Sequence, residues 1–226
     1  MLDLGGVPLV GWTLSHALGR GGLAAVLVST DDQRVVEYAQ GCGALVPWLR
    51  PPELASDIAS SVDVAIHALQ WFESNHWVPD AVVLLQPTSP FRNAESIQRA
   101  MTMLGSGNRD AVVAVTPVRG HPAWGLVDVG GRILRVGLTE RQLEEPSAGR
   151  PLLEPNGSLY LIRRDALLDR RSFIADGDIP MVVESPVEAL DIDTSWDWFI
   201  AESVVRANLV SQPDRKFRLR SAERHG

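Results

Sequence analysis

The stretch Leu84-Leu85-Gln86-Pro87-Thr88-Ser89-Pro90-Phe91-Arg92 decides how the rest of this chain is read. From Ala81 to Leu85 the sequence is continuously apolar and rich in β-branched residues, as a strand is when both faces of its sheet are covered. It then breaks into a polar turn. Ligands in open α/β sheets bind beyond the carboxyl ends of the strands, so Gln86, Thr88 and Ser89 stand where a substrate would be met. Pro87 and Pro90 fix φ on either side of the hydroxyls and lower the entropy lost when the loop orders around a ligand. The same residues also suit a tight strand-to-helix turn in which Ser89 caps a helix and binds nothing.

Upstream, Leu23 to Ser29 reads as a buried strand, and Thr30, Asp31 and Asp32 cap a helix whose inner face carries Val35, Val36 and Ala39. Gly41 and Gly43 end it. A short strand, Ala44 to Pro47, leads into the proline-fixed turn Leu49 to Leu54, where Arg50 either holds a phosphate or is a solvated surface cation. Ser60 and Ser61 then cap a helix carrying Val62, Ile66 and Leu69, or touch a ligand. His67 lies on that helix without a motif partner and reads as packed or solvated. The first helix carries Val10, Leu14, Ala17 and Leu18 and stops at Gly19, Gly21 and Gly22. Only Leu4 to Leu9 precedes it, unlike a doubly wound fold, which opens on a strand and a phosphate-cradling loop.

Downstream, Ile97, Ala100, Met101 and Leu104 mark another amphipathic helix and Asp110 to Val115 another buried strand. This alternation predicts an α/β fold with a mostly parallel sheet and right-handed crossovers. The rhythm breaks from Arg119 to Pro155, where Gly130-Gly131 and the alternating Arg132 to Val136 predict a hairpin excursion that lids a site or forms a dimer arm. Strand pattern resumes at Ser158 to Ile162, entered through Asn156 and Gly157, which offer an amide and a close backbone approach. A helix around Asp165 to Leu168 and a strand at Met181 to Glu184 follow.

Leu190-Asp191-Ile192-Asp193-Thr194 is the second chemically pointed stretch. On an extended chain Asp191 and Asp193 face the same way, and two such carboxylates are tolerable when a cation sits between them. Beside phosphates the expected cation is Mg²⁺, held by one or two carboxylates and substrate oxygens. Thr194 and Asp197 also fit a capping box for the helix carrying Trp196, Phe199 and Ile200, which leaves Asp191 unexplained.

Length and composition bound the rest. A chain of 226 residues with 45% apolar and 22% charged content suits one domain, residues 1–226, and a net charge of −7 argues against nucleic-acid binding. Cys42 is the single cysteine, which favours a reducing, cytoplasmic setting. The apolar runs are too short to cross a membrane, and Met1 is not followed by the pattern of a secretory signal.

Taken as an ordered set, LLQPTSPFR at 84–92, LRPPELASD at 49–57, NGSLY at 156–160 and DIDTSWDW at 191–198, with VSTDD at 28–32, resemble the acylneuraminate cytidylyltransferases, the CMP-sialic acid synthetases. The resemblance implies a Rossmann-like nucleotidyltransferase fold and a homodimer formed through an extended arm at 119–155. It implies transfer of CMP from CTP to the anomeric hydroxyl of a sialic-acid-like (nonulosonic) sugar acid, with release of pyrophosphate. Asp191 and Asp193 would be the catalytic, Mg²⁺-binding pair. Arg50 and Gln86 would contact substrate or nucleotide, and Asn156 the sugar. Such a mechanism also uses Thr88, Ser89, Ser60 and Gly157 as substrate-binding candidates. Several positions depart from the family. Its first strand and Gly-, Arg- and Lys-bearing nucleotide loop precede the segment matched by Leu4 to Leu9, so a start codon upstream of Met1 is expected; Lys216 is the sole lysine. Ile58 replaces a threonine, and Glu154 and Trp124 stand where relatives carry basic residues. A catalytically silent relative that binds a sugar nucleotide or a partner, or a cytidylyltransferase for a different acid or phosphonate, are the alternatives.

Overall fold

The computed structural model describes residues 1–19, 22–56, 58–93, 95–118, 126–128, 130, 132–135 and 152–218. A two-residue hairpin opens the chain, with β1 (Asp3–Leu4) paired antiparallel to β2 (Val7–Pro8). Gly5 and Gly6 both have positive φ (66° and 83°), the conformation that the tightest hairpin turn requires and that side chains disfavour. The hairpin is pinned by the Trp12 indole, which donates to Leu4 O at 3.0 Å from α1 (Leu9–Ala17). Next comes α2 (Gln33–Cys42), capped by Asp32, whose carboxylate accepts from Arg34 N at 2.8 Å, and ended by Gly43 in the left-handed region.

The expected strands at Leu23–Ser29 and Ala44–Pro47 meet only as a single parallel bridge, Leu27 to Leu45, with Val28 N donating to Leu45 O and Leu45 N to Val26 O. Apolar pattern alone cannot fix strand length, because a ladder extends only as far as its partner does.

The remaining elements are α3 (Ser61–Asn75), β3 (Ala81–Leu84), α4 (Ser96–Ser106), β4 (Ala111–Pro117), β5 (Leu126–Asp128), β6 (Ile133–Arg135), β7 (Leu153–Arg163), α5 (Arg164–Arg170), β8 (Ile179–Val182) and α6 (Ser195–Arg206). The main sheet has the order β3-β7-β4-β8. Strands β3, β4 and β8 share one direction, and β7 runs against them between β3 and β4. The sheet is therefore mixed, with its strands mostly aligned. The predicted hairpin within 119–155 is present as the antiparallel pair β5 and β6. Most of that arm, with Trp124 and Arg150, lies outside the described residues, while Glu154 is exposed on β7.

Both faces of the sheet are covered, which accounts for the unbroken apolar runs. On one face α4 sets Ile97, Ala100 and Leu104 against Val112, Ala114, Leu159 and Leu161. On the other, Ile66 and Leu69 of α3 and Leu167 of α5 pack on Ala111 and Ile162. A third cluster joins Leu4, Val7, Trp12 and Leu14 to Ala201, Val204 and Val205 of α6. Between Leu23–Ser29 and β3 runs an apolar cleft of about 540 Å³, walled by Val26 and Val28 on one side and Val83 and Leu85 on the other. Ser29, Arg50, Gln86 and Thr88 border it and supply polar groups.

Ile97 has no solvent exposure and Ile58 is 95% exposed. Ile97→Ala should therefore cost about 2–5 kcal/mol of unfolding free energy in a urea titration, and Ile58→Ala should stay within about 0.5 kcal/mol of the parent. Equal effects would contradict this placement of the core.

Candidate active site

The site is built where β3 and β7 leave their ladder. Leu84 pairs with Tyr160 at the last recorded rung, and beyond it β3 opens into the loop Leu85–Asn93. Gly157 on β7 faces that loop with φ +74°. A Cβ placed there would lie 2.7 Å from Asp191 Oδ2, 2.9 Å from Gln86 Oε1 and 3.0 Å from Ser89 Oγ. Three predicted site residues, two from the loop at 84–92 and one from the stretch at 190–194, thus converge on one glycine, whose missing side chain is what lets them do so.

Cross-links hold this convergence. Ser89 is fully buried, and its hydroxyl lies 3.3 Å from Asp191 Oδ1 and 3.4 Å from Asn156 O, with one proton to share between them. Ile192 N donates to Thr88 O at 2.8 Å. Glu188 Oε1 accepts from Asn93 N at 3.0 Å and from Ser96 Oγ at 2.7 Å, so the start of α4 is served by a distant carboxylate. The alternative in which Ser89 merely caps that helix is thereby overturned.

Asn156 is 5% exposed, and its Oδ1 accepts from Ser158 N at 3.1 Å and Ser158 Oγ at 2.8 Å. Because the backbone N–H fixes which amide atom is the acceptor, Nδ2 is left as a buried donor with no partner among the described residues. Such a group is costly unless a ligand or water satisfies it.

Asp191 and Asp193 are close enough that Asp191 is the largest cause raising the Asp193 carboxyl above its usual range, with burial and Asp197 adding to it. Asp197 is committed elsewhere. Its Oδ2 accepts from Thr194 N at 2.8 Å and Thr194 Oγ1 at 2.6 Å, and Thr194 Oγ1 in turn accepts from Asp197 N, completing the capping box of α6. These hydrogen bonds to Thr194 hold the Asp197 carboxyl below its usual range. Among the described residues no cluster of three or more His, Cys, Asp or Glu side chains could cage a metal. The Asp191–Asp193 pair stands outside any such cluster, as two neighbouring carboxylates.

Arg50 has its guanidinium turned onto Ser29, donating from Nε to Ser29 Oγ at 3.0 Å and from Nη2 to Ser29 O. It borders the cleft together with Gln86 and Thr88. Ser60 stands apart from this group. Its hydroxyl accepts from Val62 N at 3.1 Å and caps α3, and it is Ser61 that borders the cleft. His67 packs edge-on against Trp48 with centroids 4.8 Å apart, in line with a packing role.

Two residues near the site had no role assigned from sequence. Arg92, only 1% exposed, reaches Gln86 O, Ser158 O and Thr13 Oγ1, and burial lowers its guanidinium to about 10 while Asp191 and Glu188 oppose the shift. His16 on α1 is held neutral down to about 4, by burial first and by Arg92 second, against a hydrogen bond that the imidazole donates to the Pro90 carbonyl. The only signal for Arg92 was its place at the end of the loop motif, since two of its three partners are 66 and 79 residues away.

A family model described as Cytidylyltransferase matches residues 1–171. The chain is 33% identical over 206 residues to the CMP-N,N'-diacetyllegionaminic acid synthase of Legionella pneumophila, a match spanning 91% of this chain and 88% of that protein. It is 31% identical over 202 residues to the N-acylneuraminate cytidylyltransferase of Streptococcus agalactiae, spanning 88% of this chain and 47% of the relative, about half its length. In fold it is similar to the solved CMP:2-keto-3-deoxy-manno-octonic acid synthetase complexed with CTP, with a TM-score of 0.63 at 18% identity over 92% of this chain and 91% of that one.

Two outcomes follow from the geometry. Gly157→Ala must place a methyl group among Asp191, Gln86 and Ser89 at a positive φ, so a loss of about 1–3 kcal/mol in stability is expected by thermal unfolding. An unchanged melting temperature would contradict the convergence. For His16, the unfolded chain takes up a proton near its ordinary value of 6.5 and the folded chain only near 4. Protons therefore favour the unfolded state in that window, and stability should be flat above pH 6.5 and fall by about 3 kcal/mol as pH drops towards 4. His16→Gln should flatten that part of the urea-stability profile.

Proposed function

The chain belongs to the cytidylyltransferase family, and from that premise we propose that it transfers CMP from CTP to the anomeric hydroxyl of a sialic-acid-like, nonulosonic sugar acid and releases pyrophosphate. The observation that carries the reading is the convergence of Gln86, Ser89 and Asp191 on Gly157, with Asp193 beside them, beyond the carboxyl end of β3. The names of the relatives, a diacetyllegionaminic acid synthase and an N-acylneuraminate cytidylyltransferase, support the class of acceptor.

Phosphoryl transfer asks a protein mainly for positioning and charge neutralisation. Asp191 and Asp193 would hold Mg²⁺, whose mutual carboxylate repulsion it relieves. When bound, the ion neutralises phosphate charge and acidifies an attacking hydroxyl. The amide of Gln86, the hydroxyl of Thr88 and the unsatisfied Nδ2 of Asn156 offer hydrogen bonds to nucleotide and sugar. Arg50, braced on Ser29, supplies positive charge beside the cleft. Ser89 acts on Asp191, orienting one of its oxygens. A homodimer formed through the 119–155 arm and a cytoplasmic setting, in keeping with a lone, half-buried Cys42, complete the proposal. No described helix is long and apolar enough to span a membrane.

Incubation with CTP, Mg²⁺ and either N-acetylneuraminic or legionaminic acid should release pyrophosphate and form a CMP-sugar, and chelation by EDTA should stop it. Asp193→Ala should lower turnover by about 100-fold or more, by analogy with the loss of one electrostatic contact to the transition state. Its melting temperature should hold or rise, because the substitution removes one of two repelling carboxylates from an exposed position. CTP binding without pyrophosphate from any sugar acid tested would replace this reading with that of a silent nucleotide-binding relative.

A further inference from the structure

We infer that Arg92 is the positioning residue that holds the two walls of the site in register, acting as a guanidinium clip at the point where the β3–β7 ladder ends. The ladder register runs Ala81 to Arg163 through Leu84 to Tyr160. Two positions further on, the same register sets Gln86 (84 + 2) opposite Ser158 (160 − 2). Those are the two residues whose carbonyls Arg92 takes, with Nη2 donating to Gln86 O at 2.6 Å and Nε to Ser158 O at 2.9 Å. The third arm donates from Nη1 to Thr13 Oγ1 at 2.8 Å and fixes the clip to α1.

Each carbonyl sits beside a working group. Gln86 carries the amide that faces Gly157, and Ser158 follows Gly157 directly and is hydrogen-bonded to Asn156 through both its N–H and its hydroxyl. A displacement of either carbonyl would carry Gln86 away from Gly157 or Gly157 away from Asp191. The planar fork suits this task because its donors have fixed directions, whereas an ammonium group is a single point that cannot span three acceptors so far apart.

The energetics point the same way. Arg92 is 1% exposed, and all three of its hydrogen-bond acceptors are neutral. No ion pair to it occurs within the salt-bridge distance among the described residues. A buried cation in such surroundings contributes less to stability than a well-packed apolar side chain would. Its return is geometric, and Asp191 and Glu188 lie near enough for their charges to act on it.

The meaning of turnover here rests on the cytidylyltransferase reading, so the test has one readout that depends on it and one that does not. Arg92→Lys keeps the charge and loses the fork. At a temperature where circular dichroism shows the variant fully folded, its kcat for CMP transfer should fall by about 30- to 100-fold while KM for CTP changes less than about fivefold. Independently of activity, native-state hydrogen exchange should quicken by about tenfold at the amides of Ser89 and Ile192, which bond within and across the loop walls. Exchange at Val112 in the β4 core should be unchanged. Should Arg92→Lys fail to fold, Thr13→Val removes one arm of the clip with Arg92 in place and should show the same pattern at a smaller amplitude. Wild-type kcat with unchanged exchange at Ser89 and Ile192 in a folded variant overturns the inference, as does an increase in exchange spread evenly through Val112. A wild-type protein without transfer activity sinks the proposed function alone, since the exchange pattern still decides the role of Arg92.

Discussion

Everything in the site depends on one antiparallel strand set among aligned ones. β7 pairs with β3 on one edge and β4 on the other, and so brings the segment before Tyr160 level with the loop that leaves β3. A parallel strand in that position would present its opposite end, and Asn156 and Gly157 would lie far from Gln86. The mixed sheet also explains why Gly157 is a glycine: β7 must pass within contact distance of Gln86, Ser89 and Asp191 at once, at a backbone angle that side chains disfavour.

The site is held together by groups that a purely stabilising design would avoid. A guanidinium is buried against neutral acceptors, an amide nitrogen of Asn156 has no partner among the described residues, and Asp191 raises the Asp193 carboxyl by repulsion. Each such feature costs free energy that packing elsewhere must offset. The apolar layers on both faces of the sheet offset these costs. A single fully buried Ile97 or Leu159 contributes about 1.5–3 kcal/mol by removal from water, comparable in size to one unsatisfied buried donor at about 1–3 kcal/mol.

Local chemistry was legible in the sequence wherever a residue acts on its near neighbours. The cap at Asp32, the glycine stop at Gly43 and the Thr194–Asp197 capping box all obey rules that span a few residues, and the helices stand close to where the spacing of apolar residues puts them. The pointed stretches around Gln86, Asn156 and Asp191 could be named because polar residues stood where an apolar run stopped. What escaped depends on long-range placement. Apolar alternation does not encode strand direction, so β7 was not seen to be reversed. Ser89 looked like a cap because the true acceptor for the start of α4, Glu188, is 92 residues from Ser96. Ser60 could bind or cap by pattern alone, and the hydrogen bond from Val62 N decides in favour of capping.

Two aspartates at the entry to α6, Asp193 and Asp197, show how placement separates equal chemistry into different roles. Asp193 and Asp197 both follow Asp191 within six positions, yet their carboxyls move in opposite directions. Asp197 lies inside the first turn of α6, where Thr194 N–H and hydroxyl and the helix dipole all favour its charge, so it is satisfied without a ligand. Asp193 stands one residue outside that turn. Asp191 lies near enough to repel it, so it has a carboxylate neighbour where Asp197 has donors. The capping box thus does more than start a helix: by consuming Asp197 it leaves Asp193 as the carboxylate that Asp191 repels.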